Sequence, residues 1–245
     1  MQARVITIKG NHLSETGAGV LRESSALFEN EFDIKTFDAI TADESNKLFT
    51  REGLRWTYPW EGQRSDIATG LKLSAYSGAD PRKRVACFMS HYRLWKEAAK
   101  SSENYLILEH DAIFTNKLVD PGEAEPGYDC VLGINDPRGA TRMAALFHDI
   151  IQKNDKVIQQ LPKIDTWDVP QGLAGNSAYI ITPSAAKKVI ETVNRIGAWP
   201  NDALLCYQNF NFLRVTKQYY TRVQGKCMRN MSVEIKSFKK GAASF

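Results

Sequence analysis

Cysteine is scarce in this chain, and its cysteines are widely spaced. The four cysteines in 245 residues lie at positions 87, 130, 206 and 227, and no two of them form a Cys-x-x-Cys pair. This spacing argues against a zinc finger and against a disulfide framework. We therefore expect reduced, mostly buried thiols, as in a cytoplasmic protein.

Long hydrophobic runs are also missing. The apolar runs are short, such as Val131–Ile134 and Ala178–Ile181, whereas crossing a bilayer takes roughly 20 apolar residues. The N-terminal residues 1–8 lack the long apolar stretch of a signal peptide. We expect no membrane-spanning segment and, at most, peripheral membrane contact.

Three familiar catalytic motifs do not occur. The chain has no Walker A sequence and no Gly-x-Ser-x-Gly elbow, and Gly17-Ala-Gly19 lacks the third glycine of a dinucleotide fingerprint. These absences argue against a P-loop kinase, an α/β-hydrolase and a dinucleotide enzyme.

The net charge of +4 and the pI near 8.8 are too mild for a dedicated nucleic-acid binder. They still favour anionic partners such as nucleotide phosphates, acidic lipids or DNA.

The first forty residues have the pattern of a strand, a helix and a second strand. The β-branched run 4–9 predicts a strand, residues 21–30 a helix and residues 32–37 another strand. Residues 11–19 are polar and contain glycine, so we expect a loop there. A βαβ opening predicts an α/β fold with a parallel sheet. No linker rich in proline or glycine divides the chain, which indicates a single domain over residues 1–245.

The sharpest chemical signal is a strand that ends in acids. Tyr105–Leu108 is apolar and is followed at once by Glu109, His110 and Asp111. A buried carboxylate without a partner is costly, and ligands of open α/β sheets bind at the carboxyl ends of the strands. Oxygen ligands two residues apart suit a hard divalent cation that bridges to a phosphate. The sequence therefore predicts a metal site at this strand end.

Other candidate residues admit a structural interpretation beside the functional one. Ser90 and His91 lie in a helix predicted from Pro81 to about Lys100, and His91 could line a donor pocket or be a core histidine. Arg84, near the start of that helix, could hold a diphosphate or be a solvated basic residue. Asp202 could be a functional acid or simply favour a helix N-terminus.

Four segments in this order resemble glycosyltransferase family 25, over about residues 80–205. They are Cys87-Phe-Met-Ser-His with Trp95, Leu106-Ile-Leu-Glu-His-Asp111, Gly175-Asn-Ser-Ala-Tyr-Ile-Ile-Thr182, and Pro200-Asn-Asp202. The chain departs from the family pattern before the cysteine, where Arg84 and Ala86 stand, and at the middle acid, which is His110. The N-terminal nucleotide segment is replaced by Ile8-Lys-Gly-Asn11. The chain is therefore similar to a divergent member of the family.

The resemblance implies a GT-A type fold, an α/β, Rossmann-like domain with a mixed, mostly parallel sheet. It further implies a UDP-sugar donor, Mn²⁺ or Mg²⁺, and inversion at the anomeric carbon. Asp111 would be the chief metal ligand with Glu109 assisting, and His110 would be a further ligand or a spacer. Asp202 would act on the acceptor side. The residues implied at the donor nucleotide are Lys9, Asn11, Arg84, Ser90 and His91.

Three functions fit these observations. The first is a transferase that acts on a bacterial surface glycan such as lipopolysaccharide. The second is a phage-type transferase that modifies a hydroxymethylated DNA base, which the aromatic and basic stretch 51–64 and the basic C-terminal tail would suit. The third is a non-catalytic module that binds a nucleotide sugar, in which His110 has disabled metal binding.

Overall fold

A computed structural model describes residues 1–58, 80–119, 129–138, 144–164 and 172–224, and the backbone of 63–65 and 72–74. Part of the aromatic and basic stretch 51–64 and the basic tail lie outside the described residues. Within the described part of the chain, no helix is long and apolar enough to cross a membrane.

Helices and strands alternate through most of the described chain. The helices are α1 (His12–Leu27), α2 (Ala42–Arg51), α3 (Pro81–Ala98), α4 (Ala144–Lys153), α5 (Pro183–Ile196) and α6 (Asn201–Leu204). The strands are β1 (Gln2–Thr7), β2 (Ile34–Asp38), β3 (Gln63–Ser65), β4 (Lys72–Ser74), β5 (Tyr105–Glu109), β6 (Ala112–Phe114), β7 (Val131–Gly133), β8 (Ile158–Gln160), β9 (Ala178–Ile181), β10 (Leu213–Thr216) and β11 (Thr221–Val223).

Seven of these strands form one mixed sheet in the order β2-β1-β5-β9-β7-β10-β8. The pairings β1–β2, β1–β5 and β7–β10 are parallel, whereas β9 is antiparallel to β5 and β7, and β8 is antiparallel to β10. Five strands therefore point one way and two point the other. The predicted α/β class, with a mixed, mostly parallel sheet, is confirmed.

Both faces of the sheet are covered, which explains why its central strand is a continuous apolar run. Alternate residues of a strand point to opposite faces. Tyr105 and Ile107 lie in one core cluster with residues of α3 and α5, and Leu106 and Leu108 lie in another with residues of α1. A strand that is buried on both sides must be apolar throughout.

Side-chain caps fix the starts of three helices. Thr182 accepts from the backbone N–H of Ala185 and Pro183 occupies the first helical turn, as is typical of a helix start. Asp80 caps α3 in the same way, again with a proline following. Thr41 and Glu44 form a complete capping box at α2. The predicted helix start at Pro81 is confirmed.

The loop predicted for residues 11–19 is wrong. Asn11 caps a helix that begins at His12, because its side chain accepts from the backbone N–H of Ser14. Glycine normally disfavours a helix, but Gly17 has a packing reason to be there. A Cβ at this position would lie 2.5 Å from the carbonyl oxygen of His110. Glycine lets α1 lie directly against the acidic turn after β5.

Candidate active site

The acidic residues lie where two parallel strands end side by side. Ile6 of β1 is paired with Glu109 of β5, so residues 8–11 and the turn after Glu109 emerge at the same edge of the sheet. The segment that leads into β9 reaches this edge as well, since Glu109 donates its backbone N–H to the Ser177 carbonyl at 2.7 Å. The edge is the one at which open α/β sheets bind ligands.

Gln224 fixes the acidic turn from the other end of the described chain. Its side-chain Nε2 donates to the carbonyl oxygens of Gly17, His110 and Ala112, and its backbone N–H donates to the Asp111 carbonyl at 2.6 Å. It follows β11, which pairs with β6 immediately after the acids. Gln224 could not be singled out from the sequence, because its partners are backbone atoms far away in the chain.

Asp111 is a carboxylate that lacks a compensating partner. Its Oδ1 is buried and makes no hydrogen bond with the described residues. Burial, followed by the negative charge of Glu109, raises the pKa of Asp111 to about 6, and His110 opposes the shift. Two neighbouring acids that repel each other create a site that attracts a cation.

The carboxylate of Glu109 is held by a chain of buried rings. The imidazole of His91 lies 3.0 Å from Glu109 through Nε2 and 2.9 Å from the Tyr179 hydroxyl through Nδ1. Trp95 donates its indole N–H to the same hydroxyl at 2.8 Å. His91, Trp95 and Tyr179 are at most 1% exposed. Buried polar groups of this kind are stable only when each one is paired.

These contacts select one protonation pattern. Tyr179 accepts from Trp95, and burial raises the pKa of Tyr179, so the hydroxyl keeps its proton and can donate it to Nδ1 of His91. A neutral imidazole with its proton on Nε2 then donates to Glu109, and every group is satisfied. His91 is therefore a core histidine that also orients an acid of the site, and its role at the donor stays a prediction.

Replacing Tyr179 with phenylalanine should lower the free energy of unfolding by about 1–3 kcal/mol, because Trp95 and His91 each lose a buried partner. Chemical denaturation would measure this loss. Tyr220→Phe is the matched control, since Tyr220 is also buried but its hydroxyl makes no hydrogen bond with the described residues. Equal stabilities of the two variants would show that the ring chain does not support the fold.

Asp202 joins the same acidic cluster from α6. Its side chain is exposed to solvent, and its backbone packs so closely on Gly172 that a Cβ there would overlap the Asp202 carbonyl oxygen. Loss of hydration in the surrounding protein, followed by the charges of Glu109 and Asp111, raises the pKa of Asp202 to about 6. The structure thus brings together the three acids that the sequence singled out.

Further polar groups around these acids were not predicted. Asn176 is close enough to Asp202 to lower its pKa, yet its amide makes no hydrogen bond of good geometry with the described part of the chain. Ser177 Oγ and Asn201 Nδ2 are likewise buried without partners among the described residues. Unpaired buried polar atoms are rare and costly in native proteins. Asn176 and Ser177 lie inside a quoted motif, but the motif gave no reason to single them out.

Cys87 also faces this cluster. The residue is exposed, but its thiol group is partly covered and donates to Asn201 Oδ1 at 3.2 Å, whereas Cys130 and Cys206 are buried. Cys227 lies outside the described residues. Desolvation, then the charges of the nearby carboxylates, raises the pKa of Cys87 well above its usual range. At neutral pH the group is a thiol.

The residues predicted at the nucleotide have different environments. Lys9 and Asn11 are exposed after β1, and Asn11 caps α1. Ser90 is buried, and its hydroxyl accepts from the backbone N–H of Ile40 and donates to the Ala86 carbonyl. Arg84 has a buried guanidinium Nε that makes no hydrogen bond with the described residues. Of this set, Arg84 has the clearest unused capacity for a ligand.

His110 lies against α1. Its ring lies next to Gly17 of α1. Within the described residues, the ligand atoms that come within 4.8 Å of one another are those of Cys87, His91 and Glu109. A role for His110 as a metal ligand stays a prediction.

Several solved structures resemble the chain at low sequence identity. The glycosyltransferase GlyE of Streptococcus pneumoniae TIGR4 is 11% identical with a TM-score of 0.41, covering 88% of this chain and 45% of GlyE. The galactosyltransferase LgtC with donor and acceptor sugar analogues is 12% identical with a TM-score of 0.44, covering 88% and 73%. Mouse xyloside xylosyltransferase 1 is 10% identical with a TM-score of 0.44, covering 92% and 98%. The chain spans less than half of the GlyE chain.

Comparison with protein families supports the resemblance inferred from the motifs. No curated protein matches the chain. The profile of glycosyltransferase family 25, described as LPS biosynthesis protein, matches residues 22–205. This range is well over half of the chain and includes all three acids of the site. The chain therefore belongs to glycosyltransferase family 25.

Proposed function

We propose that this enzyme transfers a sugar from a UDP-sugar to a hydroxyl group of a bacterial surface glycan such as lipopolysaccharide, with inversion at the anomeric carbon. The observation that carries the proposal is the cluster of Glu109, Asp111 and Asp202 at the carboxyl edge of the sheet. Acids that raise one another's pKa attract a cation and are typical of functional sites. A divalent ion bound together with a diphosphate donor would neutralise their charge.

The acids fit the Mn²⁺ or Mg²⁺ that the family implies. Asp111 has a buried oxygen without a partner, and Glu109 is oriented by His91, so both can offer hard oxygen ligands. When bound, the ion would neutralise charge on the departing diphosphate. Arg84, with its unpaired guanidinium nitrogen, would contribute a further positive charge to the phosphates.

The unpaired polar groups would contact the donor. Asn176, Ser177 and Asn201 surround the acids and offer donors and acceptors of the kind that bind sugar hydroxyls. A bound sugar would relieve the cost of leaving these groups unpaired. They are therefore the residues that we expect to orient the transferred sugar.

Asp202 would act as the general base. Its pKa of about 6 leaves it ionised at neutral pH yet basic enough to accept a proton. The acceptor oxygen would attack the anomeric carbon as the bond from that carbon to the diphosphate breaks. The hydroxyl proton would pass to Asp202, and UDP would leave with the bonding electrons.

Release of UDP from a panel of UDP-sugars tests this function. Each donor would be incubated with Mn²⁺ or with EDTA, and without acceptor, with truncated lipopolysaccharide, or with hydroxymethylated DNA. We expect metal-dependent release that truncated lipopolysaccharide stimulates.

The other outcomes of the panel discriminate between the remaining hypotheses. Stimulation by hydroxymethylated DNA alone, lost steeply as salt increases, would select the DNA-modifying hypothesis. UDP binding without release under any condition would contradict catalysis and favour the non-catalytic module.

A further inference from the structure

Two potential metal ligands lie one helical turn apart on α3. Cys87 and His91 are separated by four residues, the spacing that places side chains on the same face of a helix. Glu109 approaches from the end of β5, and its carboxylate is 3.0 Å from His91 Nε2. The ligand atoms of these three residues all lie within 4.8 Å of one another. They form a compact triad from two rigid elements.

The chemistry of the triad differs from that of the acidic pair. Thiolate, imidazole and one carboxylate are a borderline-soft set that suits Zn²⁺, whereas Mn²⁺ and Mg²⁺ prefer oxygen ligands. In a tetrahedral zinc site, ligand atoms are roughly 3.3–3.8 Å apart, given metal–ligand lengths of about 2.0–2.3 Å. The widest pair of ligand atoms would need to approach by at most about 1.5 Å, and the exposed side chain of Cys87 has room to move. His91 Nε2 and the Glu109 carboxylate, 3.0 Å apart, would separate slightly to admit the ion.

The surroundings of His91 resemble those of a metal-bound histidine. A ligating imidazole is commonly fixed by a hydrogen bond through its other ring nitrogen. Here Nδ1 faces the hydroxyl of Tyr179, which Trp95 holds in turn. Solvent reaches Cys87, which offers an entry path for an ion and leaves room for a fourth, exchangeable ligand.

We propose that Cys87, His91 and Glu109 form a second metal site, selective for Zn²⁺, that inhibits the enzyme. Binding would displace the thiol proton to solvent. The imidazole proton would move to Nδ1, the Tyr179 hydroxyl would rotate its own proton away and accept from Nδ1, and Nε2 would become free to ligate. Glu109 belongs to both this site and the proposed Mn²⁺ or Mg²⁺ site, so zinc would compete with the activating ion for its carboxylate. The inhibition, though not the binding, depends on the proposed function.

Titration of the full chain with Co²⁺ tests the site without any need for catalysis. Cobalt bound by a thiolate has a charge-transfer absorption in the near ultraviolet, and tetrahedral cobalt absorbs strongly in the visible. We expect one equivalent of Co²⁺ to produce both signals and one equivalent of Zn²⁺ to abolish them. Cys87→Ser should remove the charge-transfer signal and weaken Zn²⁺ binding by at least about 100-fold.

Cys227→Ser is the matched control, because it removes another thiol of the same chain. A signal that persists in Cys87→Ser and disappears in Cys227→Ser would overturn the proposal. In assays with Mn²⁺, zinc should reduce the rate of the unsubstituted enzyme far more than that of Cys87→Ser. Cobalt signals in a protein that shows no transfer would preserve the metal site while contradicting the proposed function.

Discussion

Asp111→Asn is expected to abolish sugar transfer, by at least about 1,000-fold in kcat/KM, while the chain stays folded. The amide has nearly the shape of the carboxylate but lacks the charge that a divalent ion needs. Because Oδ1 of Asp111 makes no hydrogen bond with the described residues, the fold does not depend on this oxygen. Asp111→Ala should have the same effect on transfer.

The same substitution should stabilise the protein in the absence of metal. The pKa of Asp111 is about 6 in the folded chain, against an ordinary value of 3.8. Between these values the folded state binds more protons than the unfolded state, so this group lowers stability as the pH rises from about 4 to 6. The penalty is fully present at pH 7. Removing it should raise the free energy of unfolding by about 1–2 kcal/mol, allowing for partial solvent exposure.

Two measurements on one preparation would test this expectation. At pH 7 without metal, Asp111→Asn should have a higher unfolding temperature than the unsubstituted enzyme. Mn²⁺ with UDP should raise the unfolding temperature of the unsubstituted enzyme only. Asp155→Asn is the control, since it removes an acid on the exposed surface. Full transfer activity in Asp111→Asn, or equal stabilisation of both proteins by Mn²⁺, would contradict the assignment of the metal ligand.

The acidic turn was predictable because its signal is local. Tyr105–Leu108 is apolar since both faces of β5 are buried, and the acids follow directly in the sequence. The start of α1 was not predictable, because the two glycines argue against a helix and only the contact of Gly17 with the His110 carbonyl explains the first of them. At the start of α1, tertiary packing outweighs the low helix propensity of glycine.

The support for the acids depends on strand register, which the sequence does not reveal. Tyr179 is opposite Ile107 in the antiparallel pairing of β9 with β5, and Glu109 is two residues further along the same face. That register brings the Tyr179 hydroxyl to His91 and so to Glu109. The motifs contained Tyr179 and His91, but nothing in the spacing of these two residues indicates that their side chains touch.

Asp202→Asn is expected to reduce kcat by about 100- to 1,000-fold at pH 7 while leaving the affinity for UDP nearly unchanged. The substitution removes the base but none of the proposed ligands of the diphosphate. Asp202 is exposed and is close enough to the other acids for their charges to raise its pKa, which suits a group that meets a hydroxyl arriving from solvent.

The pH dependence should identify Asp202 as the base. A base must be ionised, so kcat of the unsubstituted enzyme should fall as the pH drops through about 6, the pKa of Asp202. Asp111 has a similar pKa without metal, but saturating Mn²⁺ would keep it ionised to lower pH. At saturating metal and donor, the acidic limb of the profile therefore reports on Asp202.

Profiles of kcat against pH for three proteins would settle the assignment. The unsubstituted enzyme and Asp149→Asn, which removes an exposed acid of α4, should both show the acidic limb near pH 6. Asp202→Asn should lose the limb together with most of its rate. If Asp202→Asn kept the limb at a reduced rate, another group would be the base, and Asp202 would instead orient the acceptor. The two roles separate because only a base must give up its proton before each turnover.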